Sequence, residues 1–163
     1  VSNNSGSGVL AAARERGLPA EHLSLASVSG DAAALEATML QLLEQHRIDL
    51  IVLAGYMKKV PDAVVTAYAG CILNIHPALL PAFGGATMYG RRVHEAVLER
   101  GCKVTGATAH MVTAEYDAGP ILLQQCCPVL PDDTPETLEE RVRAVEREIY
   151  PKALELVASA RAI

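Results

Sequence analysis

Asn74 and His76 stand one residue apart in an otherwise apolar run, Cys71-Ile-Leu-Asn-Ile-His76. Alternate side chains of an extended segment share a face, so both polar groups project the same way. The run stops at Pro77, and in open α/β sheets ligands bind in the crevice beyond the C-terminal ends of the strands. The alternative is a satisfied core histidine beside a strand-end asparagine, since buried polar groups are costly without partners. A carboxylate, Asp117, stands in a later polar turn, Thr113-Ala-Glu-Tyr-Asp-Ala-Gly-Pro120. Beside His76 it would hold the imidazole in one tautomer and raise its pKa, giving a general acid or base suited to neutral pH. Asn74 would offer an amide donor to an oxyanion developing on an attacked acyl carbon. These three groups suit acyl transfer without a covalent intermediate, and the G-x-S-x-G elbow of serine hydrolases is absent from the sequence.

The elements that must position these groups follow from periodicity. Residues 49–55 form a continuous apolar run ending in glycine, which predicts a strand covered on both faces, and residues 71–76 form a second. A short helix over 61–69 between them gives a right-handed crossover and points to a parallel sheet. Upstream, residues 9–16 read as a helix stopped by Gly17 and Pro19, and residues 22–26 as a short strand. Leu35, Met39, Leu42 and Leu43 recur at helical spacing over 31–45, with Ser29 or Asp31 as N-cap. Pro81, Gly84, Gly85 and Gly90 make 79–90 a long loop, of the length usually kept for function, before a helix over 91–100. Two strands, 103–112 and 121–129, flank the turn that carries Asp117. Pro135 opens a terminal helix with Leu138, Val142, Val145 and Ile149 as its buried stripe, and Pro151 is expected to kink or restart it. His94, on a helix read as superficial, receives no role.

Half of the 163 residues are hydrophobic, enough for one domain with a sizeable core. The 14 basic and 19 acidic residues are scattered, so no basic stripe exists to bind nucleic acid. No apolar run is long enough to span a bilayer and no signal-peptide pattern opens the chain, so a cytoplasmic location is expected, without a membrane partner. Cys71, Cys102, Cys126 and Cys127 match neither a zinc site nor a disulfide framework. Cys126 and Cys127 are adjacent in a strand, point to opposite faces and could not share an ion, so no metal is expected.

Three stretches in order, Asn74-Ile-His-Pro-Ala-Leu-Leu-Pro81, Gly106-Ala-Thr-Ala-His110 and Glu115-Tyr-Asp-Ala-Gly-Pro120, resemble the folate-dependent formyltransferases. Within them the chain is most similar to the phosphoribosylglycinamide formyltransferases of purine synthesis. Ser2-Asn-Asn-Ser5 and the helix Arg141-Val-Arg-Ala-Val-Glu-Arg-Glu-Ile-Tyr-Pro151 extend the likeness along the chain. The resemblance implies one catalytic domain over 1–163, Rossmann-like, with a mostly parallel sheet and helices on both faces. It implies 10-formyltetrahydrofolate as co-substrate and glycinamide ribonucleotide as the small-molecule acceptor. His76 would transfer protons, Asn74 would bind the formyl oxygen and Asp117 would keep His76 charged. Met57, Lys58, Lys59 and Val60 would line one wall of the folate pocket, with Thr113, Ala114, Glu115, Tyr116 and Asp117 on the other. Pro77, Arg143 and Glu146 would meet the acceptor, Glu146 holding its amine.

Bland readings stand beside several of these roles. Lys58 and Lys59 could form a solvated strand exit, and Arg143 could pair with Glu139 one helical turn away. Thr108 and His110 form either a second shell around His76 or ordinary core positions.

The family's first strand, its phosphate-cradling glycine loop and its first helix have no counterpart here, so the domain is expected to be N-terminally incomplete. Val1-Ser2-Asn3-Asn4 reads as a strand end and loop, and Ser5-Gly-Ser-Gly8 aligns with a later loop rather than the phosphate loop. Ala32 stands where a basic residue on the folate side would be expected. An incomplete sheet has open edges that invite association, so a homodimer is one expected partner state. The rival functions are a formyltetrahydrofolate hydrolase, with water replacing the amine, and an inert domain that binds folate or a partner. A tRNA formyltransferase is disfavoured by the acidic balance.

Overall fold

β2 (Ile72–His76) carries Asn74 and His76, and its neighbours fix where these polar residues sit. The structure, a computed structural model, describes residues 1–161 and falls into two compact units, Val1–Ile48 and Asp49–Ile163.

The first unit holds α1 (Gly8–Glu15) and α2 (Ala32–Gln45). Ser7 caps α1 by accepting from the Val9 amide, and Asp31, rather than Ser29, caps α2 by accepting from Ala33 and Ala34. Residues 22–26 do not form the expected strand. His22 makes one isolated parallel bridge to Ser2, and a 3-10 turn begins at Ala26. Serines recur at 24, 27 and 29, and the side chains of Ser24 and Ser27 bond the backbone in a local turn instead.

The second unit orders β1 (Ile51–Leu53), β2, β3 (Val104–Met111) and β4 (Ile121–Pro128) in that sequence across one sheet. The α/β class holds, with a mixed rather than mostly parallel sheet. β1 and β2 pair in parallel through the crossover helix α3 (Asp62–Ala67), whereas β2–β3 and β3–β4 are antiparallel. A short turn joins β3 to β4, and two strands so joined must run antiparallel. Nor is β1 covered on both faces in this unit, since Val52 is 43% exposed.

α5 (Pro135–Arg161) lies along β3 and β4 and packs on α4 (Arg91–Glu99). Its stripe of Leu138, Val142, Val145 and Ile149 joins Val97, Ala107 and Cys127 in the main core. Cys126, the neighbour of Cys127, is exposed, as alternation requires. The helix continues through Pro151 without the expected restart. Tyr150, next to that proline, anchors it: the hydroxyl donates to the Leu53 carbonyl at 2.6 Å and lies 3.0 Å from that of Leu73. Burial pushes the Tyr150 phenol above its usual value, keeping it a donor.

The start of α5 is held by Asp133, whose side chain is 3% exposed. It receives both guanidinium nitrogens of Arg141, the Leu130 amide at 2.7 Å and the Thr137 hydroxyl at 2.8 Å. These donors, Arg141 first, hold its carboxyl well below the usual carboxylate range. Because the folded value lies below the unfolded value of about 4, the stabilisation is complete above that pH and declines as pH falls toward the folded value. Asp133→Asn should lower unfolding free energy by about 2 kcal/mol at pH 7. In urea titrations the gap from wild type should narrow steadily below about pH 4; a gap constant with pH would remove Asp133 from this role.

Candidate active site

The register of β2 on β3 sets Asn74 opposite His110 and His76 opposite Thr108, so four polar side chains of the two strands share one face. Apolar Leu73 and Ala109 enter a core cluster with Ala153 of α5 on the other. The loop after β2 covers part of the polar face. Thr108 donates to the Ala78 carbonyl at 2.6 Å and accepts from the Leu80 amide at 3.0 Å, while Gln124 of β4 bonds the Leu80 carbonyl and the Thr108 hydroxyl. Thr108, opposite His76, therefore spends its hydroxyl on clamping the loop.

His76 is 4% exposed. Its Nε2 lies 2.8 Å from the Phe83 carbonyl, which can only accept, so Nε2 carries the proton of the neutral ring. Nδ1 then faces Asp117 Oδ2 at 3.5 Å. His110, 2% exposed, donates from Nδ1 to the Met111 carbonyl at 3.0 Å, which leaves Nε2 to accept an N–H from the Asn74 amide at 3.1 Å. The second N–H of that amide is free to meet a ligand. Asp117 Oδ1 stands 3.6 Å from His110 Nε2, so one carboxylate lies between both imidazoles.

Asp117 reaches this position from a left-handed backbone, φ 55°, a conformation aspartate tolerates in turns. Two glycines allow the approach. A Cβ on Gly119 would collide with the Met111 carbonyl of β3, and one on Gly84 would come within 3.2 Å of the Asp117 Cβ and 2.8 Å of Leu80 Cδ2. The adjacent Gly85 amide donates to Asp117 Oδ2 at 2.9 Å.

Electrostatics depart from expectation at His76. Burial lowers its pKa below the usual 6.5, and the pull of Asp117 in the opposite direction is the smaller effect. His110 is likewise lowered, by burial first. Both rings are neutral at rest near pH 7.

These groups open on a cleft of about 230 Å³. Met57, Lys58, Lys59, Val60 and residues 113–117 line it, as do Asn74, His76, Pro77, His110, Arg143 and Glu146, so of the residues singled out from sequence Thr108 alone lies off the cleft wall. Lys59 also pairs with Asp62 at 2.7 Å and Arg143 with Glu139 at 2.6 Å, so the bland contacts coexist with the cleft positions. Burial raises the Glu146 carboxyl above its ordinary value, with Glu139 adding to the rise and Arg143 opposing it. Leu53, Val65, Ile75 and Val112 give the cleft apolar lining, while its polar groups come from the segments named above. Among the described residues no cluster of histidine, cysteine or carboxylate side chains is arranged to hold a metal ion.

Sequence reading misses Tyr56, Glu139 and His94, all of which line the cleft. His94 is a correction: far from superficial, it is 2% exposed. The signal is present, because His94 lies between Val93 and Val97 on the buried face of α4.

Comparison with known proteins agrees along the chain. The model of a family described as formyl transferase matches residues 1–154. The chloroplastic phosphoribosylglycinamide formyltransferase of Arabidopsis thaliana is 41% identical over 150 residues, 92% of this chain, and the chain spans about half (51%) of that protein's length. The crystal structure of glycinamide ribonucleotide transformylase 1 from Symbiobacterium toebii superposes with a TM-score of 0.89 at 42% identity, covering 98% of this chain and 72% of that one. A formyltetrahydrofolate deformylase from Pseudomonas syringae gives 0.82 at 30% identity, over 93% of this chain and 48% of its own. The chain belongs to the formyl transferase family.

Proposed function

We propose that this chain transfers the formyl group of 10-formyltetrahydrofolate to the amine of glycinamide ribonucleotide, a step of purine synthesis. The observation that carries the reading is the Asp117 carboxylate lying 3.5 Å from His76 and 3.6 Å from His110 on the wall of one cleft, with Asn74 between the strand end and His110. The Arabidopsis and Symbiobacterium relatives bear the corresponding names.

The cleft fits the donor on chemical grounds. Its apolar lining suits a flat heteroaromatic ring, and the backbone of residues 113–117 offers polar groups along one wall. The bound donor supplies an activated formyl group attached to nitrogen. Asn74 directs its free amide N–H at the formyl oxygen, where negative charge grows as the amine attacks. Net reaction moves one proton from the attacking amine to the departing nitrogen. The neutral His76 accepts that proton at Nδ1, the Asp117 carboxylate stabilises the imidazolium, and the proton is returned to the leaving group. Glu146, half-buried on the same cleft, is the carboxyl that holds the amine.

The deformylase likeness supports a second reading, water in place of the amine. Formate release measured with and without glycinamide ribonucleotide separates the two: transfer requires formylated amine to accumulate at the expense of formate.

His76→Asn should reduce turnover on the order of a hundredfold or more while leaving the affinity for a folate analogue nearly intact. Turnover equal to wild type would discard the role given to His76.

The pH profile offers an independent check. Protonating His76 removes the proton acceptor, and protonating His110 puts an N–H on Nε2, facing the Asn74 amide donor and forcing it to turn. Both folded pKa values lie below 6.5, so kcat/KM should hold through neutrality and fall on the acid side, with its midpoint below 6.5. A midpoint above that value would contradict the neutral resting state of both rings.

A further inference from the structure

Of the three buried histidines on the cleft, His76, His94 and His110, the chemistry above leaves His94 unused. His94 projects from α4 into the region where Glu139, Arg143 and Glu146 of α5 also line the cleft. It is 2% exposed, and its Nδ1 is the one buried side-chain nitrogen or oxygen among the described residues that lacks a hydrogen-bond partner. A buried nitrogen left unpaired destabilises the free protein, and a leucine at the same site would avoid the penalty. Its neighbours on the flanking helices are already committed to one another. Glu139 accepts from Arg143 at 2.6 Å and lies 3.6 Å from Arg91 Nε, so both cations near His94 are engaged with a carboxylate. Burial keeps His94 below its ordinary pKa, with Glu139 opposing and Arg143, His76 and Arg91 reinforcing the fall, so the ring is neutral. A neutral nitrogen beside paired charges suits an uncharged hydroxyl better than a phosphate or carboxylate.

We infer that His94 is a specificity-determining residue whose Nδ1 hydrogen-bonds a hydroxyl of the amine substrate at the α4–α5 side of the cleft. The inference rests on the acyl-transfer reading and adds to it the residue that recognises the hydroxylated part of the acceptor. The contact requires the ring to turn so that Nδ1, buried in the free protein, meets the cleft, where the hydroxyl supplies the partner it lacks.

The test uses the full chain with His94→Leu and His94→Asn. For His94→Leu the thermal midpoint of the free protein should equal or exceed that of wild type, because an unpaired polar group has been replaced by an apolar one. Its KM for glycinamide ribonucleotide should rise about three- to tenfold, the worth of one neutral hydrogen bond, with KM for the formyl donor unchanged. His94→Asn, which keeps an amide near the Nδ1 position, should recover part of the loss. An analogue of the acceptor lacking its hydroxyls should bind wild type and His94→Leu equally. A lowered midpoint with both KM values unchanged would make His94 a structural core residue and overturn the inference. If His94→Leu does not fold, His94→Asn with an unaltered KM overturns it equally. Wild-type chain that binds the amine without formylating it would overturn the proposed reaction alone, and dissociation constants would then carry the His94 comparison. No binding of the amine by wild type would overturn both.

Discussion

Asp117 is the group on which the second unit's polar face converges. Its carboxylate takes the Gly85 amide on one side, faces His76 Nδ1 with the same oxygen, and turns the other toward His110. Each contact depends on a different part of the chain: the loop after β2, the end of β2 and the end of β3. A carboxylate at 12% exposure without these partners would suffer heavy desolvation, and two buried imidazoles without it would lose the nearest counter-charge to their protonated forms. The left-handed turn at 117, the absent side chains of Gly84 and Gly119 and the Thr108–Gln124 clamp on the 78–80 backbone serve to bring one anion to one place.

That arrangement sets two opposing effects on His76. The nearby carboxylate favours the imidazolium, while burial disfavours it more strongly. The balance yields a ring that rests neutral with a counter-charge close by. A group held charged from the start could donate a proton but not accept one, and the proposed transfer asks both acts of one group in turn.

Much of this is legible in the chain, and the rest escapes it for identifiable physical reasons. The alternation of Asn74 and His76 in an apolar run places them on one face, and the same alternation at Thr108 and His110 is visible on the later strand. Invisible is the pairing of the two strands, which puts Asn74 directly across from His110. Register depends on contacts between segments distant in sequence, and periodicity within either segment says nothing about it. A mostly parallel sheet is an over-reading for a related reason, since a buried antiparallel strand and a buried parallel one have the same apolar composition. Pro151 suggests a restart of the last helix because the local rule is strong, and the chain keeps that helix through Tyr150, whose hydroxyl is fixed on the carbonyls of Leu53 in β1 and Leu73 in β2.

His94 escapes notice because a histidine among charged residues on a short helix looks like a solvated one. The sequence around it, Arg91-Arg-Val-His-Glu-Ala-Val, puts the ring beside two valines on the inward face, and that spacing outweighs the charge of its immediate neighbours. Core positions select for packing, which an apolar residue of similar volume satisfies without leaving a nitrogen unpaired. A polar ring held there against its own desolvation, on the wall of the cleft that also bears the reactive pair, is better accounted for by what enters that cleft than by the stability of the helix that carries it.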